Sequence, residues 1–506
     1  MTEIMSGGTR RGFVQSAAAA ALGMAVASPY IRTARADEPS IVGLWSPVYD
    51  LPCVAIHLHL LPDGKLLMWA DDDGVFPPNR LAEFSKAYVV AMLETGEPST
   101  TPLYIPNEVT NLFCAGHSFL PDGRLLVVGG HEGQQYLGSA DVTIFDTATY
   151  TWQTQTEAPM YGGRWYASAL TMGNGEVLVL SGTRAKQGDY NPLPQVWQTP
   201  LGGGWRNLTT AQLSIPYYPS LFLAPDGRAY CAGSQQGTRY LSTVGFGQWS
   251  AGPRRTFGER YAGASVMYDE AKILMAGGSN PPTATAEIID LAAASPAWKT
   301  TQPMRYPRRH TTAVVLPDGK VLVVNGSSSP GNDAALAVLP AELWFPGSGK
   351  WATMASMAVK RLYHSTAVLL PDGRVLVAGS GRPSAINGGL DSSNCEIFSP
   401  PYLFQGTRPI ITSAPASVTY GQQFLVPTPD AASIDKVRLV KLGSVTHTVN
   451  MGQRAKVLTF QRQAGKLKLT VPSDPNTLPP GHYMLFILRA GVPSVAKIIR
   501  VGLAAA

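Results

Sequence analysis

Short apolar runs recur along the chain, each broken by a turn rich in proline, aspartate and glycine. In "SFLPDGRLLVVGG" (118–130) an apolar stretch meets Pro121, Asp122 and Gly123, and Leu125 to Val128 then run into a glycine pair. This reads as strand, tight turn, strand. The same pattern stands in "HLLPDGKLLMWAD" (59–71), "ALTMGNGEVLVLSG" (169–182), "FLAPDGRAYCAGS" (222–234), "SVMYDEAKILMAGGS" (265–279), "VVLPDGKVLVVNGSS" (314–328) and "VLLPDGRVLVAGSG" (368–381). Its period of about fifty residues is that of kelch-type propellers. Between the hairpins, stretches such as "VTIFDTATYTW" (142–152) and "AELWFPGSGKW" (341–351) supply a second pair of strands with a late tryptophan. Each unit is then a four-stranded blade that cannot bury both faces alone, and seven blades around an axis close the ring.

The rhythm changes after Phe404. From "RPIITSAPASVTYGQQFLVPTP" onward, short segments such as "KVRLVKL", "KLKLTVP" and "HYMLFILRA" alternate apolar and polar positions, as in an immunoglobulin-like sandwich. The expected fold is all-β: a seven-bladed kelch-type β-propeller over 37–407, followed by a C-terminal immunoglobulin-like β-sandwich over 408–506. High glycine and proline counts, 51 and 41 in 506 residues, agree with an all-β chain and argue against a helical one.

Residues 1–36 stand apart. Arg10 and Arg11 with Phe13 nearby, an alanine-rich run, and Ala34-Arg35-Ala36 read as a twin-arginine export signal cut after Ala36. A retained N-terminal anchor is the alternative, although the apolar run is short for a membrane span. The expected location is periplasmic or extracellular. Removal of this segment leaves 36 basic and 33 acidic residues, so the formal charge falls from +6 to +3. No basic run or basic-aromatic interleaving points to nucleic acid, and no later stretch is long and apolar enough to span a membrane. The four cysteines match neither a zinc spacing nor a disulfide framework, and Cys53, Cys231 and Cys395 are expected as buried thiols.

Candidate chemistry sits in four stretches: "NLFCAGH" around Cys114, "GGRWYAS" around Tyr166, "KRLYHST" around Tyr363 and His364, and "SVTHTVN" around His447. Cys114, Tyr166, Tyr363 and His364 each lie at the head of a strand leading into the repeat turn, and equal positions of a radial repeat converge on the axis. Tyr363 and His364 are neighbours, so both reach one point only where the chain bends. His447 requires a hairpin finger from the last domain to enter the channel. Two imidazoles with two phenols suit a tetragonal copper(II) ion. Singly, each residue is more often a packed aromatic, a satisfied histidine or a buried thiol.

Taken in order along the chain, these stretches resemble the copper radical oxidases, the galactose oxidase and glyoxal oxidase family, in a bacterial form. "SPVYDLP", the seven repeats, "LYHSTAVLLPDGRVLVAG", "EIFSPPYL" and "THTVNMGQR" carry the resemblance over nearly the whole mature chain. It implies one copper ion with Tyr166, His364 and His447 as equatorial ligands and Tyr363 as the axial one. It further implies a thioether between Cys114 and Tyr166 whose ring holds a radical, with Tyr363 as general base. The implied activity is oxidation of a primary alcohol or an aldehyde, a glyoxal-type small molecule or a glycan end, with dioxygen reduced to hydrogen peroxide. A monomer acting on a small molecule is expected. The competing reading is a non-catalytic propeller that binds glycan or protein in the cell envelope.

Three departures from the family pattern stand out. Arg184 occupies the place where galactose oxidase has the tryptophan shielding its radical, and Trp165, beside Tyr166, is either another shield or core packing. Pro219 and Ser327 stand near the places of the sugar-binding arginine and glutamine, which turns the expected substrate away from galactose. "SAINGGLDSSNCEIF" replaces a closely spaced cysteine pair and gives Cys395 no local partner.

Overall fold

The computed structural model describes residues 38–70, 85–107, 109–132, 134–199, 202–381 and 389–502; the export segment lies outside them. Seven antiparallel sheets follow one another in chain order. Their innermost strands are His57–Leu60, Gly116–Phe119, Trp165–Thr171, Leu221–Leu223, Ala264–Asp269, Thr312–Val315 and Ser365–Leu369, and they head blades 1 to 7. The repeat turns join each of these to the second strand, as the sequence pattern requires. Blade 7 is closed by the N-terminal segment, where Leu44 pairs with Ser399, Trp45 with Phe398 and Tyr49 with Cys395. This ring closure has no signature in the repeat, because two strands of two residues carry no periodicity.

The C-terminal region folds as a six-stranded sheet facing a three-stranded one. Its strands Lys436–Lys441 and Gly481–Arg489 are buried on both faces. Val437, Leu439, Tyr483, Leu485 and Ile487 fill the sandwich core, whereas Val440, Met484, Phe486 and Leu488 join the propeller core. Alternation along a strand thus assigns odd positions to one core and even positions to the other. This docking sets the start of the finger, since Lys436–Lys441 leads through Gly443 into Ser444–Thr446. A Cβ at Gly443 would lie 2.6 Å from the Val368 side chain, so a glycine is needed at the pass.

Buried arginines fix the segments that precede the innermost strands. Arg260 pairs with Glu287 at 2.8 Å in blade 5, Arg308 with Glu342 at 2.7 Å in blade 6, and Arg361 with Glu396 at 3.6 Å in blade 7. Each glutamate belongs to the third strand of its own blade, so the pair ties the blade's inner edge to its middle. In blade 3 the acceptor is Gln195, which receives Arg164 at 3.1 Å. Arg164 lacks a carboxylate there, and burial pulls its guanidinium down to about 9.

A buried charge that loses its partner destabilises far more than loss of the whole pair. Glu342→Leu is therefore expected to lower unfolding stability by about 3–5 kcal/mol. Adding Arg308→Met should restore most of the loss, read as the denaturant midpoint of each variant.

Candidate metal centre

The head of each innermost strand from blade 2 to blade 7 carries a residue in left-handed conformation: Cys114 (φ 63°), Tyr166 (71°), Tyr218 (40°), Ala262 (54°), His310 (57°) and His364 (67°). None is glycine, so each position costs on the order of 1–2 kcal/mol. The conformation turns the preceding segment inward, over the channel mouth. Backbone hydrogen bonds link these positions from blade to blade: Tyr166 N–H to the Cys114 carbonyl at 2.9 Å, Tyr218 N–H to that of Tyr166 at 3.0 Å, and His310 N–H to that of Ala262 at 2.8 Å. The bend at His364 lets the neighbours Tyr363 and His364 lean on one another, ring centroids 3.8 Å apart, instead of facing opposite ways.

The fifth residue arrives from the sandwich side. Ser444–Thr446 and Val449–Asn450 form a hairpin whose first strand pairs with the innermost strand of blade 1, His57 opposite Thr446 and His59 opposite Ser444. Its two-residue tip is His447 and Thr448, at φ 48° and 76°, a turn that ordinarily takes Asn-Gly. Strain at such a tip persists only where the surroundings over-determine it. Ser444 provides part of that constraint: its hydroxyl meets His117 Nδ1 at 2.6 Å and His59 Nδ1 at 3.1 Å.

The five side chains named from the sequence gather at one point. The Tyr166 and Tyr363 hydroxyls share a hydrogen bond. Cys114 Sγ lies 3.6 Å from His447 Nε2, and ligand atoms of Cys114, His364 and His447 all fall within 4.8 Å of one another. The His364 and His447 rings meet edge to face at 4.4 Å, and the Tyr166 ring is 4.6 Å from that of His447. His364 Nδ1 bonds the Gly381 carbonyl at 2.7 Å, and His447 Nδ1 meets Thr446 Oγ1 at 2.6 Å. The carbonyl can only accept, so His364 carries its proton on Nδ1 and keeps a lone pair at Nε2, and the Thr446 hydroxyl gives His447 Nδ1 the partner usual for a metal-binding imidazole.

Burial shapes the electrostatics. Loss of water raises the Tyr166 and Tyr363 phenols well above their ordinary range, reinforced at Tyr166 by the Cys114 thiol and at Tyr363 by Tyr261. It lowers His447 well below the usual imidazole range, with His364 adding to the effect. The set is thus the neutral His447 imidazole, the His364 imidazole and two phenols, which a divalent ion would convert to phenolates. Two nitrogens and two oxygens in this dry channel fit copper(II).

Sequence reasoning missed Tyr218 and His310, and the recurrence of the left-handed position is the signal that finds them. Tyr166 is sandwiched: Trp165 stacks on one face at 3.6 Å and 10°, and Tyr218 on the other at 4.7 Å and 26°. Trp165 therefore covers Tyr166. Arg184 points to solvent instead, paired with Asp189 at 2.6 Å. His310 lies 5.0 Å from the Tyr363 ring. Tyr217, Tyr218, Tyr261 and His310 join Tyr166, Tyr363 and His447 in lining a narrow cleft of about 50 Å³. Ser327 is turned inward onto the Asp333 and Leu336 carbonyls. No disulfide joins the cysteines; Cys231 and Cys395 are buried, their thiols pushed up to about 11 and about 12 by desolvation. Cys53 corrects the expectation: it is half-buried, because it follows the short closing strand at the propeller edge.

Fold and donor set define a class, a β-propeller protein whose innermost strands and finger bring together two imidazoles, a thiol and two oxidisable phenols able to hold one metal ion. Comparison with known proteins narrows it. The family Glyoxal oxidase N-terminus matches residues 269–402, and Galactose oxidase-like, Early set domain, matches 408–501. Galactose oxidase of Gibberella zeae is 30% identical over 510 residues, covering 92% of this chain and 71% of that protein. Aldehyde oxidase GLOX of Vitis pseudoreticulata is 28% identical over 449 residues, 78% of this chain and 82% of that protein. The solved structure of a fungal alcohol oxidase of the AA5 family, in complex with copper, matches with a TM-score of 0.81 at 27% identity, over 91% of this chain and 100% of that one. The chain belongs to the copper radical oxidases, the family of galactose oxidase and glyoxal oxidase. It is by that membership an oxidoreductase.

The inner histidines make an acid-sensitivity test. Burial lowers His117 from 6.5 to about 3. The unfolded chain therefore takes up a proton near pH 6.5 that the folded chain refuses down to about pH 3. Stability before metal loading should fall with pH across that window, by up to about 1.4 kcal/mol per pH unit from this residue. His117→Asn should flatten the fall, measured as denaturant midpoint against pH.

Proposed function

We propose that the protein is an exported copper radical oxidase that converts a primary alcohol or an aldehyde hydrate to the next oxidation level and reduces dioxygen to hydrogen peroxide. Tyr166, His364, His447 and Tyr363 would hold the metal, and Cys114 would be joined by a thioether to the Tyr166 ring. The hydrogen-bonded Tyr166 and Tyr363 hydroxyls beside the Cys114, His364 and His447 group carry this reading. The galactose oxidase, aldehyde oxidase and alcohol oxidase relatives support it. Export rests on Arg10, Arg11 and the small-residue site ending at Ala36.

Removing a hydride equivalent from carbon takes two electrons, so two one-electron acceptors are needed. Copper, when bound, polarises the substrate oxygen and stores one of those electrons. Tyr166 accepts the other: sulfur on the ring shares the spin and makes the phenol easier to oxidise. Tyr363, as phenolate, takes the hydroxyl proton of the substrate. Trp165 and Tyr218 keep water from both faces of the Tyr166 ring. The two protons and two electrons released per turnover reduce one dioxygen to one hydrogen peroxide. A cleft this narrow suits the reacting end of a small aldehyde or alcohol, and the exposed Tyr261 at its lining leaves room for a larger group outside.

A second reading keeps Cys114 as a thiolate ligand beside His364 and His447, a Cys-His-His copper site without radical chemistry; the proximity of those three ligand atoms favours it. Intact mass separates the two. Aerobic copper loading of the mature protein should remove two hydrogens from the chain, and Cys114→Ser should abolish the change while peroxide formation collapses. Copper uptake with no change in chain mass would establish the second reading. Neither uptake nor peroxide would return the protein to a binding role.

The shield is tested separately. Trp165→Ala should still acquire the thioether, and the oxidised form should decay roughly fivefold faster, the size expected when a stacking contact of ~1 kcal/mol is lost. An unchanged decay would make Trp165 a packing residue.

A further inference from the structure

The backbone bonds that join the entrances of blades 2, 3 and 4, Tyr166 to Cys114 and Tyr218 to Tyr166, have no counterpart between Cys114 and blade 1, which has no left-handed residue at the head of its innermost strand. The Cys114 N–H at that gap would face the position where a carbonyl serves Tyr166 and Tyr218. It donates instead to His57 Nε2, at 3.0 Å. His57 is fully buried, stacks on Trp69 at 4.8 Å and 9°, and stands opposite Thr446 of the finger. Trp69 in turn donates from Nε1 to the Leu112 carbonyl at 3.1 Å, two residues before Cys114. Accepting at Nε2 forces the neutral ring to carry its proton on Nδ1, and that buried atom has no hydrogen-bond partner among the described residues.

We propose that His57 is a positioning residue for thioether formation: its imidazole takes the place of the missing blade 1 carbonyl and holds Cys114 in the left-handed conformation that presents its sulfur to the Tyr166 ring. The proposal rests on the Cys114–Tyr166 reading given under Proposed function. In that step a bond forms between Cys114 Sγ and a Tyr166 ring carbon, while an S–H and an aryl C–H bond break. Two protons and two electrons leave and reduce one dioxygen to hydrogen peroxide. Left-handed backbone is disfavoured for cysteine, so without its acceptor the residue relaxes and the sulfur swings away from the ring.

The test follows chain mass over time after aerobic copper addition to the mature protein, with copper affinity measured in parallel. His57→Phe keeps a ring on Trp69 and removes the acceptor; His57→Gln removes the ring and supplies a carbonyl. His57→Phe should slow the two-hydrogen loss by roughly tenfold or more, as expected for a buried donor left unpaired, at nearly unchanged copper affinity. His57→Gln should recover much of the rate. Cross-linking of His57→Phe at the wild-type rate overturns the proposal. Absence of any mass change in the wild type defeats the thioether reading itself, a separate outcome. If His57→Phe does not fold, the nitrogen-15 signals of His57 in the unaltered, copper-free protein decide: a proton on Nδ1 supports the role, and a proton on Nε2 overturns it.

Discussion

Six non-glycine residues in left-handed conformation, one at the head of each blade from the second to the seventh, are the constraint on which the centre depends. A strand entered in the ordinary conformation sends neighbouring side chains to opposite faces and could not bring Tyr363 and His364 together. The energy of holding six such residues is offset in two ways. Backbone bonds such as Tyr166 to Cys114 and His310 to Ala262 tie one blade's entrance to the next. In blades 3, 5, 6 and 7, buried arginines two or three residues upstream tie the entrance to the third strand of the same blade. Glycines at the ends of the second strands complete the joints: a Cβ on Gly129 would sit 2.0 Å from the Arg164 carbonyl oxygen.

The finger adds the one donor of the candidate centre that no blade supplies, His447. Its root is set by strands buried on both faces between two cores, its first strand by pairing with blade 1, and its return by Gln453, which accepts the Val315 N–H at 2.8 Å, and Arg454, which donates to the Leu223 carbonyl at 3.1 Å. Contacts with blades 1, 4 and 6 leave the His447–Thr448 tip little freedom, which is how a turn sequence poorly suited to left-handed backbone holds that shape.

How much of this the sequence discloses follows from what each feature needs. The blades are legible because Pro-Asp-Gly turns and apolar pairs repeat with fixed offsets, and the centre because cysteine, tyrosine and histidine are odd at strand heads. Tyr218 and His310 stay hidden because backbone conformation at a non-glycine residue leaves no mark in composition. The Arg–Glu pairs join residues about thirty positions apart, such as Arg308 and Glu342, and the segment closing blade 7 is too short to show a period. His57 is harder still. Its bond to the Cys114 N–H stands where a backbone carbonyl serves Tyr166 and Tyr218, and that substitution becomes visible only once the entrances are built.

The same burial that organises the centre sets its charge. Desolvation keeps Tyr166, Tyr218 and Tyr363 protonated and His57, His310 and His447 neutral, so the channel mouth holds donors and hardly any charge. Water entering from solvent could stabilise isolated phenolates or imidazolium ions, but the stacked rings of Trp165 and Tyr218 and the finger leave little room for it. A cation that exchanges its own water for these donors gains what the solvent cannot provide, and phenol ionisation becomes coupled to its arrival. Tyr218 is held out of that exchange: its hydroxyl donates to the Ala115 carbonyl at 3.0 Å, which fixes it as a neutral ring against Tyr166.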